Sequence, residues 1–221
     1  PAFSLAVGEM LPCVPAGRAG PDGAQVEVRD LGGFSSEGML LSEASLGIGE
    51  DSQRPLRVAP GQNLNAEVHA LLELDDVVLE FDLEPNRPDL FSLVGMARDL
   101  SAIYNTPLRL PECFDGTIEP TDSDTLSIRI DATDKVHRYA ALAIHNVAVA
   151  PSPQWLQNAV RKLGMRPINQ VVDATNLAMM ELGQPMHTFD AKRLTQGEIG
   201  LRMARPEEKL TTLDGVERSL T

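Results

Sequence analysis

A chain of 221 residues with 43% hydrophobic content is long enough to bury one large core or two small ones. Its 19 basic against 32 acidic residues give a formal net charge of -13, which argues against a chain that grips phosphates unaided, and 4% aromatic content leaves little for a base-stacking platform. No run of about 18 apolar residues spans a bilayer, and Pro1 to Gly8 lacks the basic start and apolar core of a secretory signal. The chain is therefore read as globular, with no membrane partner and a cytoplasmic address.

Residues 1–75 are rich in Gly and Pro, with short apolar runs such as Leu5 to Val7 and Val26 to Val28 between turn signals. This predicts small β structure of roughly two to four short strands, too few to close a barrel, so the chain is expected to begin mid-domain. Cys13 and Cys113 form neither a CxxC pair nor a ligand cluster with His69, His137, His145 or His187. Both are read as free structural thiols, and no metal site is expected.

From Val77 the pattern sharpens. Leu79, Phe81 and Leu83 alternate with Glu80, Asp82 and Glu84, the period of a strand with one wet face. Pro85-Asn86-Arg87-Pro88 breaks it, with Arg87 expected to pair with Asp89. Asp89 is expected to cap a helix whose apolar stripe is Leu90, Leu93, Val94, Ala97, Leu100 and Tyr104. Residues 76–110 are thus a strand, turn and helix unit, and the Pro-, Gly- and acid-rich stretch 111–125 reads as a linker.

The last segment, 126–221, alternates strand and helix signals. Leu126, Ile128 and Ile130 predict a strand, and Tyr139 to Val149, apolar at both parities, a strand covered on both faces. Ser152-Pro153 reads as an N-cap and first helical position, opening a helix through Trp155, Leu156, Ala159, Val160 and Leu163 to a stop at Gly164, with Trp155 in the core. A further helix buries Ile168, Val171, Val172, Thr175, Met179 and Leu182 and ends at Gly183. Ile199, Leu201 and Met203 make another strand, and Asp214-Gly215 a hairpin turn whose second strand is cut by the end of the sequence. The sequence shows no Gly-rich phosphate loop, GxSxG elbow or HExxH helix.

Several phrases stand in an order that resembles the β subunit of bacterial phenylalanine–tRNA ligases. Ser36-Glu37-Gly38-Met39-Leu40 with Leu46-Gly47 is similar to the end of that family's tRNA-binding-like barrel, and Glu84-Pro85-Asn86-Arg87-Pro88-Asp89 to its first core domain. Pro151-Ser152-Pro153-Gln154-Trp155-Leu156, Gly164-Met165-Arg166-Pro167-Ile168-Asn169, Val171-Val172-Asp173-Ala174-Thr175-Asn176 and Glu181-Leu182-Gly183-Gln184-Pro185-Met186-His187 resemble its editing module, and Leu213-Asp214-Gly215-Val216-Glu217-Arg218 extends the match. The chain departs from the family where residues 28–33 replace a basic segment, where Ala174 replaces a usual Val and where Leu177 replaces a usual Tyr.

The resemblance implies an α+β fold: a partial OB-like β-barrel over 1–75, the strand–helix core unit, then the first half of a mixed α/β editing domain. It implies an internal fragment of a ligase subunit that contributes to charging tRNA(Phe) and to hydrolysing mischarged Tyr-tRNA(Phe). The implied partners are an α subunit in an α2β2 assembly and tRNA(Phe). No cofactor is expected in this stretch, while the whole enzyme uses ATP and Mg. A noncatalytic subunit-docking or tRNA-binding module is the alternative, and a free-standing deacylase the third reading.

The resemblance also implies site residues: His187, Asn176 and Thr175 as catalytic and Arg166 as substrate-binding. Read as chemistry, each has a plainer alternative. Arg166, at the positive end of a helix dipole, needs either a phosphate or carboxylate ligand or a structural pair with Asp173. Thr175 either faces a groove or hydrogen-bonds the preceding turn, and Asn176, about 100° round the helix, either shares that groove or faces water. His187, beyond the stiff Gly183-Gln184-Pro185-Met186 exit, either orients water or the substrate or is a surface residue.

Overall fold

The computed structural model describes residues 4–112, 126–212 and 214–220. The described residues of 1–111 and 149–187 form one compact unit, and those of 112–148 and 188–221 form a second. The expected linker lies, from residue 113 to 125, outside the described residues, as does Cys113. Cys13 is free and exposed.

The first unit begins with four strands of two or three residues. β1 (Cys13–Pro15) pairs antiparallel with β4 (Gly38–Leu40), and β2 (Arg29–Asp30) with β3 (Ser35–Ser36). Gly38 permits the first pairing, because a Cβ there would stand 2.8 Å from Cys13 Sγ and 2.9 Å from Val14 O. The α+β class holds, and among the described residues no closed barrel forms: the strands stay in separate two-stranded sheets. Strands this short bury no continuous face.

Packing against helices replaces the missing strands. Leu41, Leu56, Ala59 and Leu72 are 3–4% exposed, as is Leu156, and Val160 is 0% exposed; the last two lie on α3 (Gln154–Lys162). α3 also buries Gln154, Gln157 and Asn158. Gln154 Oε1 accepts from Ala59 N–H at 2.9 Å, Gln154 Nε2 donates to Asn158 Oδ1 at 2.8 Å, and Asn158 Nδ2 donates to Leu71 O at 3.0 Å. Loop amides that would be stranded in a core are thereby satisfied. The one-turn helix α1 (Val68–Leu71) supplies that Leu71 carbonyl. Below it Lys162 Nζ reaches Glu73 Oε2 at 2.7 Å and Asp76 Oδ2 at 2.8 Å, hydrogen bonds that hold both carboxyls below their ordinary range.

Four local expectations for this unit are corrected. Residues 77–83 form no strand; Val77, Val78, Leu79 and Phe81 are exposed, and a ladder needs a partner strand that the described residues do not provide. Asp89 does not cap the helix that follows. It sits in a 3-10 turn, Pro88–Leu90, with both oxygens held by Arg87, whose Nη2 also reaches Asp99 at 2.9 Å. The expected Arg87–Asp89 pair thus forms and takes the carboxylate from capping. Ser92 caps α2 (Leu93–Tyr104) instead, its Oγ accepting from Gly95 N–H at 3.0 Å. Likewise Ser152 is not the cap of α3, and Trp155 is 60% exposed rather than core, because α3 turns Leu156 and Val160 inward.

α4 (Gln170–Leu182) completes the unit, ending at Gly183 as expected; Ile168 lies before its first turn and is exposed, as is Leu182, so neither is on a buried face.

In the second unit β5 (Ser127–Ile130) and β6 (Glu198–Leu201) pair in parallel, with Ile128 opposite Ile199. The latter strand stops before Met203. β7 (Lys209–Thr211) and β8 (Glu217–Ser219) form the expected hairpin around Asp214-Gly215. Asp214 Oδ1 accepts from Val216 N–H at 3.1 Å and Gly215 takes a φ of 77°, which glycine adopts without strain. Residues 139–148, part of the expected two-sided strand, form none, and Leu142, Ile144 and Val147 are exposed.

Candidate functional site

All four candidate side chains lie on or beside α4, so its restraints determine their placement. At the N-terminus Asn169 Oδ1 accepts from the amides of Val171 at 3.0 Å and Val172 at 3.1 Å, satisfying two of the free donors there. At the C-terminus Gly183, at φ 82°, donates its N–H to Met179 O at 2.7 Å.

A third restraint is buried. Asp173, 0% exposed, accepts from Ser152 Oγ at 2.5 Å and from Ile168 N–H at 2.9 Å. One carboxylate therefore ties together the approach to α3, the loop that carries Arg166 and the first turn of α4. Its negative charge also suits the positive end of the helix dipole. Sequence reasoning had Asp173 only as a pairing partner for Arg166; that pair does not form, since both oxygens are engaged elsewhere, and among the described residues Arg166 makes no salt bridge. The missed signal was Ser152, whose hydroxyl is free for Asp173 because the N-cap position of α3 is taken by Pro153.

Thr175 and Asn176 are half-buried neighbours on the middle of α4. Thr175 Oγ1 donates to Val172 O at 2.8 Å, with a longer approach of 3.4 Å to Val171 O, so the turn-bonded alternative is the one observed. With its proton committed there, the hydroxyl oxygen faces other groups as an acceptor. Arg166 and His187 are both exposed. They flank α4 at its opposite ends, across a helix rise of about 18 Å. Thr175 and Asn176 are thus adjacent on one helix, with Arg166 before its start and His187 after its end.

Two shallow hollows among the described residues do not contain these side chains. In the first unit a hollow of about 330 Å³ is lined by His69, Glu73, Asp75, Asp76 and Lys162; in the second, one of about 440 Å³ is lined by Ala132, Val136, Leu201, Met203 and Leu220 with Lys135 and Glu208. Among the described residues no group of three or more His, Cys, Asp or Glu stands together to hold a metal ion. Beside Asp173, Arg161 on α3 donates to Gln157 Oε1 at 3.4 Å, while its Nε and Nη1 are buried without a partner among the described residues. Burial lowers its pKa, opposed by the negative charges of Glu43 and Asp173.

Comparison with known proteins agrees with the motifs. Residues 135–221 match the B3/4 domain family. The phenylalanine–tRNA ligase beta subunit of Anaeromyxobacter dehalogenans is 41% identical over 216 residues, covering 97% of this chain and 27% of that protein. That of Moorella thermoacetica is 41% identical over 219 residues, 96% of the chain and 27% of the relative, and that of Carboxydothermus hydrogenoformans 43% over 206 residues, 91% and 25%. The chain spans about a quarter of the length of these curated relatives. Across nearly its whole length it is therefore similar to the phenylalanine–tRNA ligase beta subunits of many bacteria, the family its motifs resemble.

Proposed function

We propose that this chain works in the cytoplasm as part of the β subunit of a phenylalanine–tRNA ligase, contributing to the charging of tRNA(Phe) and to the hydrolysis of tyrosine wrongly joined to it. The observation that carries the reading is similarity at 41% identity over 97% of the chain, which reaches across both compact units. Editing has a physical motive. A pocket shaped for phenylalanine rejects an analogue with one added hydroxyl by only about a hundredfold in comparable cases.

In the hydrolysis, water forms a bond to the ester carbonyl carbon while the bond to the ribose oxygen breaks, releasing tyrosine and free tRNA. Asn176 can donate to the developing oxyanion, Thr175 can accept from the attacking water, and His187 can orient that water or the tyrosyl group. Arg166, at the far end of α4, suits a phosphate of the tRNA end rather than the aminoacyl group. ATP and magnesium belong with the synthetic reaction and with other parts of the whole protein; the residues here hold neither a phosphate loop nor, among those described, a metal-ligand group. The partners are the α subunit, in an α2β2 assembly, and tRNA(Phe).

The test is His187→Ala in the intact protein, assayed for Tyr-tRNA(Phe) deacylation and for Phe activation. Deacylation should fall about 10- to 1000-fold with activation unchanged. Normal deacylation by a folded variant removes His187 from the site. The exposed Val77, Val78, Leu79 and Phe81 favour a second reading, subunit docking. It predicts that Phe81→Ser releases the α subunit while leaving deacylation intact.

A further inference from the structure

α2 and α4 meet where one begins and the other ends. A Cβ on Gly183 would lie 3.1 Å from Ser92 Cβ and 3.4 Å from Ser92 Oγ, so the C-cap of α4 is seated directly on the N-cap of α2. The approach sets the positive end of one helix dipole against the negative end of the other.

Neither residue can readily yield. Gly183 holds a φ of 82°, strained for most side chains. Ser92 Oγ is committed to Gly95 N–H at 3.0 Å, and Gly95 is wedged in turn, since a Cβ there would stand 1.7 Å from Asp89 O. Asp89 is held from its other side by Arg87. The chain that leaves Gly183 for Gln184, Pro185, Met186 and His187 therefore departs from a fixed point in a fixed direction.

We infer that Ser92 is a positioning residue for aminoacyl-ester hydrolysis: packed on Gly183, it sets the path by which the chain leaves α4 and so the place of the His187 imidazole. The inference rests on the editing reading of His187 given above. It makes residues 76–110 part of the frame of the site, with the Arg87–Asp89 turn bracing α2 behind Ser92.

The experiment uses the intact protein and single-turnover deacylation of Tyr-tRNA(Phe), with Phe activation and melting temperature measured alongside. Gly183→Asn tolerates the left-handed backbone and adds the colliding Cβ, while Ser92→Gly removes Cβ and Oγ where glycine is an accepted N-cap. Gly183→Asn should lower the deacylation rate constant by up to about 10-fold, less than the cost of a misplacement of about 1 Å because the tight contact shifts the joint by a few tenths of an ångström, with Phe activation unchanged. Ser92→Gly in the same protein should restore most of it. Ser92→Thr, which keeps the capping hydroxyl and adds a methyl at the joint, gives a second variant with the same expected defect should Gly183→Asn not fold. Normal deacylation by a folded Gly183→Asn or Ser92→Thr protein, or a defect that Ser92→Gly does not relieve, overturns the inference. If His187→Ala deacylates normally, the assignment of His187 to the editing site falls and the inference with it; if His187→Ala is defective while the joint variants are normal, only the inference falls.

Discussion

Replacing Asp173 by Ala removes a fully buried carboxylate that serves two donors, and the cost follows from what is left behind. The buried Ser152 Oγ and the part-buried Ile168 N–H lose acceptors at 2.5 and 2.9 Å, and the partly buried Arg161 loses one of the two charges that oppose its desolvation. Hydrogen bonds to a charged group contribute about 1.5–3 kcal/mol each, and stranding their partners in the interior recovers none of it. The expected destabilisation is about 3–5 kcal/mol, with a fall in melting temperature of about 6–20 °C for a domain of this size. Asp173→Asn keeps an oxygen for Ile168 N–H and an amide that can donate to the Ser152 hydroxyl, so about 1–2 kcal/mol is expected; Ser152→Ala, which breaks one bond, should fall in the same range. Urea unfolding followed by circular dichroism on the three variants measures the series. An Ala variant within about 1 kcal/mol of the unmodified protein, or an Asn variant as damaged as Ala, would refute the claim that this carboxylate is the tie between α3, the Arg166 loop and α4.

Trp155, the only tryptophan, is 60% exposed, so Trp155→Ala should cost about 1 kcal/mol or less where a core tryptophan costs about 3–5; a loss in the core range would place it inside. Glu208 is held at a pKa of about 2, below its ordinary 4.5, chiefly by hydrogen bonds from Arg202. Its contribution to the hairpin unit is therefore present above pH 4.5 and is lost as pH falls through about 2; an NMR carboxyl titration should show this midpoint, and Arg202→Met should raise it. Gly95→Ala should exceed the ordinary overpacking cost of about 1–3 kcal/mol, because the new methyl meets the Asp89 carbonyl at 1.7 Å, and a variant as stable as the unmodified protein in thermal melts would contradict the packing at that turn.

Helix ends were the most legible part of the sequence because their causes are local. Gly183 stops α4 and Asn105, at φ 50°, ends α2 within a residue or two of the sequence signals. Strands were less legible because a strand needs a partner that its own period does not name. Leu79, Phe81 and Leu83 carry the alternation of a strand, and Tyr139 to Val149 the apolar content of one, yet neither stretch is in a ladder, while β5 found a parallel partner in β6 that no local pattern announced. The amide face of α3 was hidden for a related reason: Gln154, Gln157 and Asn158 look like solvent residues until Ala59, Ser152 and Leu71 respectively present backbone groups that require them. In the candidate site, Thr175, Asn176, His187 and Arg166 were found through the motifs, whereas Asp173 and Ser92, which restrain them, were recognised only from hydrogen bonds and close approach.

The restraints on α4 explain how the helix keeps its place without a deeply buried apolar face. Its apolar stripe is only half-buried: Val171, Val172 and Met179 are intermediate in exposure, Leu182 is exposed, and Asp173 is the one fully buried residue along its length. A helix held chiefly by that stripe would depend on every side chain of it. A helix held by the Asn169 cap, by the Asp173 tie and by Ser92 beneath Gly183 depends instead on a few polar contacts at its two ends. Ala174 faces solvent and Leu177 is half-buried, so neither side chain takes part in a restraint. Both lie within two residues of Thr175, whose hydrogen bond to Val172 O is made without them. Substitutions at 174 and 177 are thus free to alter what a ligand meets beside Thr175 and Asn176 without altering where those two side chains stand.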